Sequence, residues 1–145
     1  MVQGYPPQVE KLRTTSRNQM IDITDRVQER IKRDKVRTGL AIVFVSHTTA
    51  GITINENADT DVKHDLLAKL EALIPKNESY YRHGEGNSDS HLKASMMGSS
   101  VTLLIEHGKL QLGTWQGVYF CEFDGPRERQ VLIKLVNLDP RGETD

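Results

Sequence analysis

The run Leu40-Ala41-Ile42-Val43-Phe44-Val45 constrains this chain more than any other segment. Six consecutive apolar residues with β-branched members are too few for a buried helix and read as a strand covered on both faces. Ser46-His47-Thr48-Thr49-Ala50-Gly51 interrupts the run, and Ile52-Thr53-Ile54-Asn55 resumes as a short strand. With 145 residues and 37% apolar content, the chain suits one domain with a core of its own.

The elements on either side complete an α+β pattern. Val9 to Thr15 and Gln19 to Ile23 read as two short strands around a Ser16-Arg17-Asn18 turn, a plausible hairpin. Thr24 and Asp25, with Gln28, can cap a short surface helix whose apolar ridge is Val27 and Ile31. Asn57 is placed to cap one long helix, Ala58 to Ile74, with Val62, Leu66, Leu70, Leu73 and Ile74 as its buried stripe and Pro75 as its stop. Asn77 to Asp89 has no periodicity and reads as either a working loop or a disordered one. A second short helix, His91 to Met97, is closed by Gly98. Strand-like runs follow at Val101–Ile105, Leu110–Leu112, Val118–Phe123 and Val131–Val136, and the polar end from Leu138 to Asp145 is expected to fray. The expected fold is therefore a single α+β domain over residues 1–145. Its β-rich core has mixed or antiparallel strands, one long helix and one or two short ones.

Charge and composition narrow the function classes. Nineteen Lys/Arg against twenty Asp/Glu give a net charge of -1. A near-neutral chain is not expected to bind nucleic acid or an anionic membrane in general, since both need a basic face. One cysteine allows no internal disulfide and no Cys-rich zinc site. No apolar run approaches the roughly 18 residues of a membrane span, and Met1 to Lys11 lacks a signal pattern, so a cytoplasmic protein is expected. Five histidines beside one cysteine direct any chemistry toward imidazole.

Three of those histidines stand out. His47, with Thr48 and Thr49, follows a buried strand at a place where rigid scaffolds present functional groups; equally, these residues can satisfy backbone groups at a bulge. His83 and His91 bracket Gly84, Gly86, Asn87 and Asp89, and the loop must fold back to bring them together. If it does, they suit a divalent metal or general acid–base work; if not, they are surface histidines. His91 also falls near a helix start, where free N–H groups attract anions. Trp115, between Gly113 and Gly117, is more readily a core residue than a stacking platform. Arg127 can grip a phosphate or pair with Asp124 or Glu122. His64 and His107 read as ordinary surface residues, and Cys121 as a buried small hydrophobe. No P-loop, GxGxxG, GxSxG or HExxH motif occurs.

Together, Ser46-His47-Thr48-Thr49-Ala50-Gly51-Ile52 running into Asn55-Glu56-Asn57, Tyr81-Arg82-His83 with Asn87 and His91, Gly108 with Gly113-Thr114-Trp115-Gln116, and Glu122-Phe123-Asp124-Gly125-Pro126-Arg127 resemble the YjbQ-like family, also called the secondary thiamine-phosphate synthase family. The resemblance covers nearly the whole chain in order. It implies a small α+β domain assembled as a homotrimer, with sites that draw on neighbouring subunits. It also implies a weak activity joining an aminopyrimidine diphosphate to a thiazole phosphate with loss of diphosphate. In that chemistry His47, His83 and His91, with Asn87, are the candidate catalytic residues, the three histidines alternatively holding a divalent ion such as zinc or magnesium. Thr48, Thr49, Trp115, Gln116 and Arg127 are the candidate ligand contacts for a small phosphorylated substrate. A different class of function is also open: a non-catalytic homotrimer that binds a metal or a small anion.

Overall fold

The structure, a computed structural model, describes residues 2–140. Its strands are β1 (Gln3–Gly4), β2 (Gln8–Arg13), β3 (Gln19–Asp22), β4 (Gly39–Phe44), β5 (Ala50–Glu56), β6 (Ser100–Glu106), β7 (Lys109–Leu110), β8 (Gln116–Glu122) and β9 (Glu128–Asn137). The helices are α1 (Thr24–Arg33), α2 (Thr60–Leu73) and α3 (Ser88–Met97). All strand pairs are antiparallel. The larger sheet runs β1-β9-β4-β6-β7, with β2 on β9 alongside β1, and the smaller runs β3-β8-β5.

Alternation of side chains explains the layers. Ala41, Val43, Leu103, Ile105, Val131, Ile133 and Leu135 of the larger sheet share one core with Ile52, Val118 and Phe120 of the smaller, and Val27 and Ile31 of α1 join them. The opposite face of the smaller sheet buries Met20, Tyr119 and Cys121 with Phe123 against Leu70 and Ala94 of the other two helices. β8 is thus the strand covered on both faces. Burial pushes the Cys121 thiol up to about 12, so it stays a protonated small hydrophobe.

Several expectations need correction. The Leu40–Val45 strand is covered on one face only within a chain: Leu40 and Ile42 are half-buried and Phe44 is exposed, because among the described residues no layer lies over the outer side of the larger sheet. The segments around Ser16–Asn18 do not form a hairpin. β2 joins β9 and β3 joins β8, so the turn carries the chain from one sheet to the other. The long helix starts later, with Asp59 as cap accepting from the Asp61 N–H, while Asn57 turns to Asp22. Of its expected stripe only Leu70 is buried, and Leu73 is 58% exposed. At α1 no Asp25–Gln28 capping box forms. Asp22 accepts from the Thr24 N–H, and Gln28 instead ties Gly108 and Leu110 to the helix.

Within the polar end, Leu138 donates to the Thr38 carbonyl and Asp139 is buried, so those two residues do not fray. Arg141–Asp145 lie outside the described residues. The second short helix begins at Ser88 rather than His91 and ends, as expected, at Gly98, whose φ of 93° favours glycine.

Candidate functional site

Three segments meet at one open cleft of about 440 Å³. The β4–β5 connection brings Ser46, His47, Thr48 and Thr49. The loop before α3 brings His83, Glu85 and Asn87, and α3 itself His91. The β8–β9 turn brings Asp124 and Arg127, and the start of β9 Arg129. The fold-back required of the loop is real: the His83 and His91 rings meet edge to face, 5.2 Å between centroids.

A buried polar network fixes the floor. Arg129 lies 7% exposed and Glu122 is fully buried. The Arg129 guanidinium donates to both Glu122 oxygens, at 2.8 and 2.5 Å, and to Thr49 Oγ1 at 2.8 Å. Thr14 donates to Glu122 at 2.7 Å and accepts from the Arg127 backbone N–H, and the Phe123 and Asp124 N–H groups also donate to Glu122. Burial pushes the Glu122 carboxyl up, but these donors, Arg129 foremost, outweigh it and hold it below the usual carboxylate range. Thr49, expected to touch ligand, is therefore buried and engaged in holding Arg129; Thr48 beside it is exposed.

A second network anchors α3. Asp89, fully buried, accepts both arms of Arg17 at 3.0 Å and the Lys93 ammonium at 3.1 Å; Lys93, 1% exposed, also donates to Glu71 of α2. Burial raises the Asp89 pKa, yet Arg17 and Lys93 prevail and it lies below its ordinary value. Ser90 donates to the Phe123 carbonyl at 2.6 Å. These bonds pin the helix that carries His91 against both α2 and the end of β8. Nothing in the sequence reading singled out Lys93; its i,i+4 spacing from Asp89 was the available signal.

Asn87 is the N-cap residue of α3, its carbonyl accepting from the Ser90 and His91 N–H groups, but its side chain does not cap the helix. Its Nδ2 donates to Asp124 Oδ2 at 2.8 Å, and its buried Oδ1 has no hydrogen-bond partner among the described residues. The same Asp124 oxygen accepts from Arg127 at 2.9 Å. Arg127 therefore forms the expected ion pair with Asp124, while its side chain stays half-exposed on the cleft.

The Gln130 backbone N–H donates to His47 Nε2 at 3.0 Å. In neutral His47 the proton therefore sits on Nδ1, so what the ring can offer a ligand is a donor. Burial first, and the Arg129 cation second, hold its pKa below 6.5.

Zinc or magnesium does not fit these residues as they stand. His47 Nε2 is already engaged, and among the described residues no three His, Cys, Asp or Glu side chains form a group able to hold a metal.

Trp115 and Gln116 are not at this cleft. The β5–β8 ladder pairs Ala50 with Glu122 at the cleft end and Glu56 with Gln116 at the other, about 20 Å away along the strands. Trp115 is also not a core residue: it is 61% exposed. Gln116 instead accepts from the Gly113 N–H and closes its own turn. His64 and His107 are exposed, as expected.

The family described as UPF0047 protein YjbQ-like matches residues 8–138. A UPF0047 protein of Methanocaldococcus jannaschii is 51% identical over 126 residues, covering 87% of this chain and 91% of that protein. The UPF0047 protein YugU of Bacillus subtilis is 48% identical, covering 87% and 96%. The crystal structure of a YjbQ/UPF0047 family protein from Clostridium acetobutylicum, 54% identical, superposes with a TM-score of 0.86 over 88% of this chain and 98% of that one.

Proposed function

The chain belongs to the UPF0047 protein YjbQ-like family, and on that premise we propose that its cleft holds the phosphate or diphosphate of a small substrate during a transfer reaction in the cytoplasm. The observation that carries this reading is the convergence of His47, His83, His91, Asn87, Thr48 and Arg127 from three separate segments onto one cleft. The specific reaction proposed is thiamine-phosphate synthesis. The thiazole ring nitrogen supplies an electron pair to the methylene carbon of the aminopyrimidine diphosphate. A C–N bond forms, the C–O bond breaks, and its electron pair leaves with diphosphate.

Stabilising that departing charge is the protein's task. His47 Nδ1–H, the Thr48 hydroxyl and the Arg127 guanidinium are the donors assigned to it, with His91 or His83 as the proton source. Net charge contributes little. Arg127 is matched by Asp124, Arg129 by Glu122, and Glu85 adds a further carboxylate. Directed hydrogen bonds therefore carry the recognition.

Homotrimeric assembly is part of the proposal. Exposed Phe44 and Leu104 on the uncovered face of the larger sheet support it, as does exposed Trp115, which reaches a cleft only from another subunit. A non-catalytic trimer that binds a metal or a small anion is the second reading. Its metal form requires His47 to leave Gln130 and is tested by metal analysis of the purified protein; its anion form is supported by diphosphate binding without thiamine phosphate formation. The test of the first reading is thiamine phosphate formation by His47→Ala and His91→Ala variants that remain folded trimers. Each is expected to lose about 100-fold or more. Full activity in both overturns the assignment.

A further inference from the structure

A second groove, of about 560 Å³, shares His83 and His91 with the polar cleft. Its other walls are Tyr80, Tyr81 and Leu92, with Arg82 and Ser88 among its lining. Tyr80 and Tyr81 meet edge to face, 5.2 Å apart at 78°, and the two imidazoles do so at 5.2 Å and 84°. Four rings therefore line one groove. Tyr80 is 71% and Leu92 47% exposed, an apolar surface left open to water.

From this continuity we infer that the groove is the seat of a flat heteroaromatic ring whose phosphate or diphosphate occupies the polar cleft. The inference rests on the phosphoryl reading above and adds the place in the fold where the other half of the substrate sits. Its volume falls in the range of small-ligand pockets, roughly 300–1,000 Å³. Paired aromatic side chains present faces and edges that a planar ring satisfies better than an aliphatic chain does. The hydroxyl of Ser88 and the guanidinium of Arg82 can donate to ring nitrogens, which a plain hydrocarbon lacks. The groove is also preformed. Tyr81 N–H donates to Glu78, Gly86 N–H to His83, and Asn87 is tied to Asp124, so the loop between α2 and α3 is held in place. His83 and His91 then stand between ring and phosphate, next to the bond that breaks.

Calorimetric titration with three probes tests this: inorganic diphosphate, the unphosphorylated aminopyrimidine alcohol and its phosphate ester. Wild type is compared with Tyr80→Ala, Leu92→Ala and Arg127→Gln, the first two being changes at exposed side chains. Tyr80→Ala and Leu92→Ala are expected to weaken the alcohol and the ester about tenfold and to leave diphosphate within about twofold. Arg127→Gln is expected to do the reverse for alcohol and diphosphate. Unchanged alcohol and ester binding in both groove variants overturns the inference. So does a change of oligomeric state in Tyr80→Ala by analytical ultracentrifugation, since the groove would then be covered by a second copy of the chain. If wild type binds the alcohol in a Tyr80-dependent way but never binds diphosphate, the phosphoryl reading fails and the ring site stands.

Discussion

His47 Nε2 accepts a hydrogen bond from the backbone N–H of Gln130, 3.0 Å away, and this one contact fixes what the imidazole can do. A backbone N–H only donates, so the neutral ring carries its proton on Nδ1. His47 accordingly offers an N–H to a bound oxyanion and does not serve as a base in this arrangement. Nitrogen NMR of the free protein near pH 7 is expected to show a protonated Nδ1. A protonated Nε2 in the neutral ring contradicts the assignment.

The same residue makes a statement about acid stability. Burial and Arg129 lower its folded pKa below 6.5, so on acidification the unfolded chain takes up this proton first. The contribution is complete above pH 6.5 and is lost as pH falls from there through the lower folded value. Urea titrations of wild type and His47→Gln at stepped pH values check this. Wild type should lose stability relative to the variant on going below pH 6.5, and parallel curves would remove the effect.

Arg129 and Glu122 are both buried, and each is the other's main partner. Arg129→Met leaves a buried carboxylate unpaired and is expected to cost about 3–5 kcal/mol. Adding Glu122→Leu removes that charge, so the double variant should be more stable than Arg129→Met alone. Additive losses in the double-mutant cycle would show that the two groups do not act as a pair.

Gly125 is a site of close approach. A Cβ there would meet the Ser16 carbonyl at 2.3 Å, Thr14 Oγ1 at 2.7 Å and Glu122 Cγ at 2.9 Å. Gly125→Ala is expected to destabilise by about 1–3 kcal/mol, because backbone and a bonded network must shift. It should also weaken diphosphate binding, since the same turn carries Asp124 and Arg127. A wild-type melting temperature would show that the turn has slack.

Arg127 separates binding from folding. Its ion pair with Asp124 is half-exposed, so Arg127→Gln should change stability by no more than about 1 kcal/mol. Diphosphate affinity is expected to fall about tenfold or more, since a charge-assisted donor is lost. Loss of folding with unchanged affinity would reverse the role assigned to it.

What the sequence made legible follows from the reach of each signal. Apolar alternation located most strands to within a few residues, and Gly98 marked the end of α3. It could not show that consecutive strands β2 and β3 enter different sheets, because pairing with partners so distant in the chain leaves no local trace. The stripe on α2 was visible, but periodicity does not say how wide the surface beneath it is. The three-stranded sheet reaches Leu66, Leu67 and Leu70 and stops before Leu73. Of the site, His47, His83, His91, Asn87, Thr48 and Arg127 were found by residue type and position, and they do meet. Trp115 and Gln116 join them only through the family resemblance and the chemistry it implies, and the register of β5 on β8 parts them within one chain. Arg129, Asp89 and Lys93 were passed over as site supports because charged residues read as surface. Only the fold reveals them as buried and paired.

Amide chemical shifts during titration with inorganic diphosphate report whether one cleft collects the anionic ligand. Saturable shifts are expected at Thr48, Asn87 to His91 and Arg127, abolished together in Arg127→Gln/His91→Ala. Shifts confined to another face, such as that of Arg26 and Arg33, or no saturable shift at all, would show that the cleft is not the anion site.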